Sequence, residues 1–463
     1  MNQRYSRAAA RLAAIVVAAA LPSAAFAAPH SKTLDNGLKV IVMEDRRAPV
    51  VVSQLWYRVG SVDEEIGITG VSHALEHMMF KGTEKVPAGE FSRTIAAAGG
   101  RENAFTGRDY TAYFQMLHKS QLPLATRLEA DRMRNLVLDE SDFKKEIQVV
   151  MEERRWRTDD RPRSLLYEQF MAAALIAHPY RQPVIGWMGD LQNMTIEDLR
   201  EWYGKWYAPN NATLVVVGDV DAQEVFALAE RYYGGYRSMK LPERKLHGEP
   251  QHRGVRRIEI KAPAELPYLI MGYPVPALRD AGNDWEPYAL SVLSGVLDGY
   301  AAARLNRDLV REKRIATSVG AGYDLLARGP SLFLLEGTPS KEVSVAELEK
   351  ALREQIERIA REGIGEDELR RVKAQVVASQ VYARDSMMSQ AMQMGQLEMA
   401  GLSYKDIDVL VKKLQEVTAA QVQEVAKKYF AGDRLTVATL DPQPLEGRRP
   451  APPSAPSGMR RDH

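Results

Sequence analysis

One unit occurs twice in this chain of 463 residues. Thr195-Ile196-Glu197-Asp198-Leu199-Arg200-Glu201-Trp202-Tyr203-Gly204-Lys205-Trp206-Tyr207 leads through a short loop into Thr213-Leu214-Val215-Val216-Val217, stopped by Gly218-Asp219. Near the C-terminus, Thr418 to Phe430 leads into Leu435-Thr436-Val437-Ala438-Thr439-Leu440, stopped by Asp441-Pro442. Each copy opens on a threonine placed as an N-cap, continues with apolar residues at helical spacing, and ends in a β-rich run. Leu199, Trp202, Trp206 and Tyr207 fall opposite Val422, Val425, Tyr429 and Phe430. The repeat argues for internal duplication into two homologous halves. The halves are placed at 28–240 and 255–442. The stretch 241–254, charged and broken by Pro242, Gly248 and Pro250, reads as the linker.

The chemistry concentrates in Val71-Ser72-His73-Ala74-Leu75-Glu76-His77-Met78-Met79-Phe80. On a helix, His73 and His77 share one face one turn apart, and Glu76 lies close to it. Gly67, Gly70 and Ser72 offer a flexible entry and a cap. Two imidazoles and a carboxylate so arranged can hold zinc and activate water, and the order His-x-x-Glu-His inverts the commoner His-Glu-x-x-His. Catalytic zinc needs a third ligand, and the chain has no cysteine. Glu146-Ile147-Gln148-Val149-Val150-Met151-Glu152-Glu153 reads as a helix with Glu146, Val149, Val150 and Glu153 on one face. The competing reading puts Glu152 and Glu153 in a solvated run with Arg154 and Arg155.

Arg4, Arg7 and Arg11, the apolar run Leu12 to Leu21 and Ala25-Phe26-Ala27 read as a secretory signal peptide over 1–27. Its apolar run is too short for a comfortable membrane span, and export implies the periplasm. Net charge is +1 with the signs interspersed, so neither nucleic acid nor a membrane surface is an expected partner. Strands are expected at 38–43, 50–57, 103–105 and 110–116, and helices at 90–98, 122–137 and 141–157, with another that follows the break at Arg161-Pro162-Arg163 and runs to about Ala177. The methionine-rich stretch from Met387 to Met399 reads as an ordinary packed helix, against a peptide cavity or a subunit interface. The Pro- and Arg-rich tail 443–463 is expected to be disordered.

From about Thr33 to Pro442 these features resemble the pitrilysin/insulinase family of zinc peptidases, on the branch that includes the mitochondrial processing peptidase. The distance from His77 to Glu153 matches that family's third ligand and selects Glu153 over Glu152. Glu146 matches a supporting glutamate two turns earlier. Gly99-Gly100-Arg101-Glu102-Asn103-Ala104-Phe105-Thr106 is similar to the family's Gly-Gly-x-x-Asn-Ala-x-Thr strand, and His178-Pro179-Tyr180 and Gly186 add to the likeness. The resemblance implies an α+β fold, with an antiparallel-rich sheet and flanking helices in each half, closed as a clamshell around a chamber for peptides or unfolded polypeptides. It implies one Zn2+ per chain on His73, His77 and Glu153, with Glu76 as general base and Glu146 orienting a ligand histidine. The strand with Asn103, Ala104 and Phe105 is expected to hold the substrate backbone. In the second half Arg311 matches a substrate-binding arginine, but Thr317 stands where the family has a tyrosine. Threonine cannot replace a phenol that reaches a carbonyl oxygen, and Tyr323 is not expected to substitute. The chain is therefore expected to be the zinc-bearing subunit of a heterodimer whose homologous partner carries the arginine–tyrosine pair, a homodimer being the lesser expectation. The alternative is a non-catalytic binding or assembly subunit with a vestigial site.

Overall fold

The computed structural model describes residues 28–245, 248–430 and 432–445. The expected signal peptide and residues 446–463 of the expected tail lie outside them. Residue 443 does not belong to the tail, because the last strand runs through it.

The first sheet contains β1 (His30–Thr33), β2 (Lys39–Glu44), β3 (Val50–Tyr57), β4 (Arg101–Thr106), β5 (Thr111–His118) and β6 (Ala212–Gly218). The second contains β7 (Arg256–Pro263), β8 (Tyr268–Val275), β9 (Ala316–Tyr323), β10 (Ser331–Pro339) and β11 (Thr436–Gln443). Their orders are β1-β2-β6-β3-β5-β4 and β7-β11-β8-β10-β9. Without β1 the two orders superimpose strand for strand. Each holds one parallel pair, β2 with β6 and β7 with β11, and is otherwise antiparallel. The duplication visible in one helix–strand unit extends to a whole sheet.

The helices that matter for the site are α1 (Val71–Met78), α2 (Glu140–Arg154), α3 (Pro162–Ala174), α4 (Ile196–Trp206), α5 (Glu286–Asp298), α6 (Met387–Ala400) and α7 (Ala419–Phe430). Thr195 caps α4 in a reciprocal box with Asp198, whose carboxylate accepts from the Thr195 amide at 2.8 Å. Beyond Arg154, α2 loosens into a π-helical turn over Arg155–Asp159. Helix α3 ends at Ala174, three residues short of expectation. Glu249 of the linker accepts from the amides of Ile176, Ala177 and His178 and takes over the role of further helical bonds. At the other end of the linker, Arg244 pairs with Asp63 at 3.0 Å and lies over the Trp206 ring. The linker is thereby fastened to the first half at both described ends.

Each sheet takes one helix from the other half of the chain. Helix α3, from the first half, packs Leu166, Phe170 and Met171 against Tyr268, Ile270, Ala438 and Leu440 of the second sheet. Helix α6, the methionine-rich stretch, packs Ala391, Met394 and Met399 against Ile41, Val52, Trp56, Val215 and Val217 of the first. Both crossings depend on a glycine. A Cβ on Gly272 would stand 2.5 Å from Phe170, and one on Gly395 would stand 2.1 Å from Trp56. The expected packing of the methionine helix holds, but across the two halves. Each half keeps a large core of its own, and two smaller clusters are shared across the division at 241–254.

A loop after β9 joins the halves again. Arg328 pairs with Asp63 at 3.1 Å, and its amide donates to Asp109 at 3.0 Å. The Tyr180 hydroxyl donates to Asp109 at 2.5 Å and accepts from the Gly329 amide at 2.8 Å. Tyr180, in the His178-Pro179-Tyr180 stretch, thus sits at this junction between the halves. Among the described residues, no helix is long and apolar enough to cross a membrane.

Candidate metal centre

Helix α1 is buried on every side, so each of its polar groups needs a protein partner or a ligand. Gly70 caps it in the left-handed region, at φ 89°. Gly70 and Gly186 touch through their backbones: a Cβ on Gly70 would lie 2.6 Å from the Ile185 carbonyl, and one on Gly186 2.3 Å from that of Thr69. The cap comes from Glu64 rather than from Ser72. Its carboxylate accepts from the amides of Gly70 at 2.7 Å and Ser72 at 2.9 Å. Burial pushes Glu64 up to about 7, outweighing those two amides.

His73 and His77 project from this helix with ring centroids 4.8 Å apart. Helix α2 brings Glu153 to them. Its Oε2 lies 3.6 Å from His73 Nε2 and 3.3 Å from His77 Nε2. One ligand atom from each of the three residues falls within 4.8 Å of the others. A tetrahedron of donors about 2.0–2.1 Å from a zinc ion has edges of roughly 3.3 Å, so the spacing and the N,N,O donor set fit that metal. His77 Nε2 is buried without a hydrogen-bond partner, as a ligand position requires. Burial opposes a charge on His77, but Glu146 and Glu153 prevail and push it up to about 9. Burial likewise works against ionised Glu153, and His77, His73 and Arg157 bring it down to about 2. Glu152, the next residue, is exposed and pairs with Arg155. Val149, expected on the inward face, is 49% exposed; Glu146, Val150 and Glu153 form that face without it.

Around these residues stands a ring of hydrogen bonds. His77 Nδ1 donates to Glu146 at 3.3 Å, and Lys81 pairs with the other Glu146 oxygen at 2.5 Å. Burial disfavours ionised Glu146, yet His77 and Lys81 hold it below the usual range. Arg157 grips Glu153 Oε1 at 2.8 Å, leaving Oε2 toward the imidazoles. Glu76 accepts from the Thr106 hydroxyl of β4 at 2.6 Å. Glu64, Thr106, Lys81 and Arg157 received no role from sequence reading. The i,i+4 spacing of His77 with Lys81 and of Glu153 with Arg157 was a usable signal; nothing in the sequence marks the pairings of Glu64 and Thr106.

A cavity of about 540 Å³ opens beside His73 and Thr106, between the two halves. Asn103, Ala104 and Phe105 lie on β4, an edge strand that pairs only with β5. The Phe105 ring is turned away, against Trp56, so this strand can offer a substrate its backbone but not that ring. Arg311 does not line the cavity. Its π-helical segment, Asn306–Glu312, buries Asp308 and Leu309 and leaves Arg311 exposed. Thr317 donates to the Thr338 carbonyl at 3.3 Å, and the Tyr323 hydroxyl is spent on the Pro276 carbonyl at 2.5 Å.

Two homologous α+β halves forming a clamshell, with an inverted His-x-x-Glu-His helix in the first, describe a class of peptidase folds. Residues 39–186 match the family described as insulinase, peptidase family M16, and residues 193–376 match the peptidase M16 inactive domain. The chain is 32% identical over 420 residues to the zinc protease PqqE of Helicobacter pylori, covering 89% of this chain and 93% of that one. It is 31% identical over 418 residues to an uncharacterized zinc protease of Mycobacterium leprae, covering 89% and 91%. A crystal structure of a protease from Helicobacter pylori superimposes with a TM-score of 0.85 at 30% identity, over 90% of this chain and all of the other. This chain belongs to the M16, or insulinase, family of peptidases.

Proposed function

We propose that the chain is a zinc metallopeptidase that hydrolyses peptides or unfolded polypeptides. The observation that carries this reading is the convergence of His73, His77 and Glu153 from two helices, with Glu76 beside them. Zinc held there supplies Lewis acidity, which acidifies the attacking water and polarises the scissile carbonyl. Glu76 takes the proton of that water on its carboxylate and passes it to the departing amine. Thr106 donates to one Glu76 oxygen and fixes the orientation of the other. Glu146 holds the His77 ring through Nδ1, which leaves Nε2 as the ligand atom. Arg157 does the same for Glu153. The free edge of β4 offers backbone groups to an extended substrate, and extended chains fit a site between two halves better than folded proteins do.

The exposed position of Arg311 and the threonine at position 317 support a further part of the reading. This chain works as the zinc-bearing subunit beside a homologous chain that supplies an arginine–tyrosine pair. The reading also has this chain act in the periplasm, which the N-terminal signature over 1–27 supports. A second reading, a binding or assembly subunit with a vestigial site, draws on the same missing tyrosine.

Metal analysis and a quenched-peptide assay, on the chain alone and with a homologous partner, test these statements together. Zinc at one equivalent and chelator-sensitive turnover are expected, with full turnover only in the pair. Full activity of the lone chain would remove the heterodimer, and absence of metal would remove the peptidase. Glu76→Gln should keep its zinc and lose turnover by about three orders of magnitude; retained turnover would refute the role given to Glu76.

A further inference from the structure

The cavity beside His73 has a charge balance that the hydrolytic chemistry does not use. Four arginines line it: Arg108, Arg157, Arg163 and Arg181. Arg157 is committed to Glu153 at 2.8 Å. The partners of the other three are neutral oxygens. Arg108 donates to the Tyr167 hydroxyl at 3.1 Å, Arg163 to the Thr338 hydroxyl at 3.0 Å, and Arg181 to the Ile176 carbonyl at 2.6 Å. Among the described residues, none of the three forms an ion pair.

Two carboxylates share the wall. Glu168 is gripped through both oxygens by Arg154, at 2.7 and 2.9 Å. Glu336 lies beside the Tyr268 phenol, which burial of the ring and then the charge of Glu336 push upward. With the Arg157–Glu153 and Arg154–Glu168 pairs set aside, three guanidinium groups face one carboxylate. Met171 and Ile270 add apolar wall to the same space. A guanidinium in a partly desolvated wall gains most from a carboxylate, which it can meet with two parallel hydrogen bonds. Two of the three are already oriented by a ring: Arg163, itself exposed, by Tyr268 4.2 Å away, and half-buried Arg108 by Tyr180 at 5.5 Å.

We propose that this cavity is a subsite for a carboxylate carried by the substrate, held by Arg108, Arg163 and Arg181 within reach of His73. The inference rests on the peptidase reading and adds the substrate's chemistry to it. The carboxylate is either an Asp or Glu side chain near the bond to be cleaved or the C-terminus of a short peptide. A lysine or arginine side chain is repelled from the same space.

The test uses the full zinc-loaded chain and quenched fluorescent decapeptides that differ at one position, Glu, Gln or Lys, scanned across the sequence with amidated C-termini. The Gln series is repeated with free C-terminal acids. A Glu-over-Gln ratio in kcat/KM of about tenfold at one position is expected, with Lys below Gln. The same ratio appearing as free acid over amide supports the proposal and assigns the carboxylate to the C-terminus. In Arg108→Gln/Arg163→Gln that ratio should fall to within about twofold, and Arg163→Lys should restore part of it. Equal rates for Glu and Gln together with equal rates for acid and amide would overturn the proposal, as would an unchanged ratio in the double variant. The same peptides, labelled and bound to Glu76→Gln in fluorescence anisotropy, report affinity without turnover. If no peptide is cleaved by the chain alone or with its homologous partner, the peptidase reading fails, and the anisotropy ratios still decide the cavity.

Discussion

The two halves share a sheet topology and differ in the first helix after the central strand. In the second half that helix is α5, whose buried residues are Pro287, Tyr288, Ala289, Leu290, Val292, Leu293, Val296 and Leu297. In the first half it is α1, equally buried but carrying His73, Glu76 and His77. The apolar helix buries a hydrophobic run, and its few polar groups bond nearby: Ser294 donates to the Ala321 carbonyl and Asp298 accepts from the Ala321 amide. The polar one draws partners from three other places in the chain: Glu146 and Glu153 of α2, Thr106 of β4, and Glu64 ahead of the helix. The same architecture thus holds an apolar helix in one half and a candidate metal centre in the other. What separates them is the number of buried polar groups and the second helix that comes to meet them.

Substitutions can break this comparison, and removing the third ligand should do most. Glu153→Gln should lose zinc by more than about 100-fold in affinity and lose turnover with it, whereas Glu152→Gln should keep both. Metal content after dialysis reads the difference, and loss of metal in the Glu152 variant instead would shift the ligand by one residue. Next comes the exchange of helices. Phe170→Ala should destabilise the chain by about 3–5 kcal/mol in chemical denaturation, because the ring fills the second sheet from a helix of the first half. If the halves had independent cores, only the first-half transition would move.

Burial of Glu64 beside α1 gives a pH dependence to the first half. Its folded value of about 7 lies above the ordinary 4.5, so the folded state binds this proton more tightly than the unfolded state. The contribution to stability is present in full below pH 4.5 and is lost as pH rises through 7. Its size is on the order of 3 kcal/mol. Glu64→Gln should flatten that segment of the stability profile, with an oxygen left for one of the two amides of Gly70 and Ser72, and an unchanged slope would remove Glu64 as its source. The smallest effect is expected at Glu146→Gln, which leaves every ligand in place. Zinc affinity should fall by about 10- to 100-fold, measured by chelator competition. An affinity equal to wild type would mean that the His77 ring is held by packing alone.

Much of this site was legible in the chain because its parts are local. The i,i+4 spacing of the histidines, the inward face of α2 and the Thr195 cap each depend on one helix and its own period. Short-range order of that kind placed His73, Glu76, His77, Glu146 and the repeated helix–strand unit. The choice of Glu153 over Glu152 came from family spacing, and the structure puts the two on opposite sides of the same helix. For Arg311 the motif gave a match but not its surroundings, and the structure leaves that side chain exposed.

By itself, the sequence determined two like halves, a helix able to bind a metal through two imidazoles, and a second helix able to bring a carboxylate. Only the tertiary structure decided that each sheet is closed by a helix from the other half, that Glu64 caps the metal helix, and that three arginines without acidic partners face the cavity at His73. These are contacts between residues far apart in the chain. Their energies depend on which surfaces become buried together, and no local pattern records that.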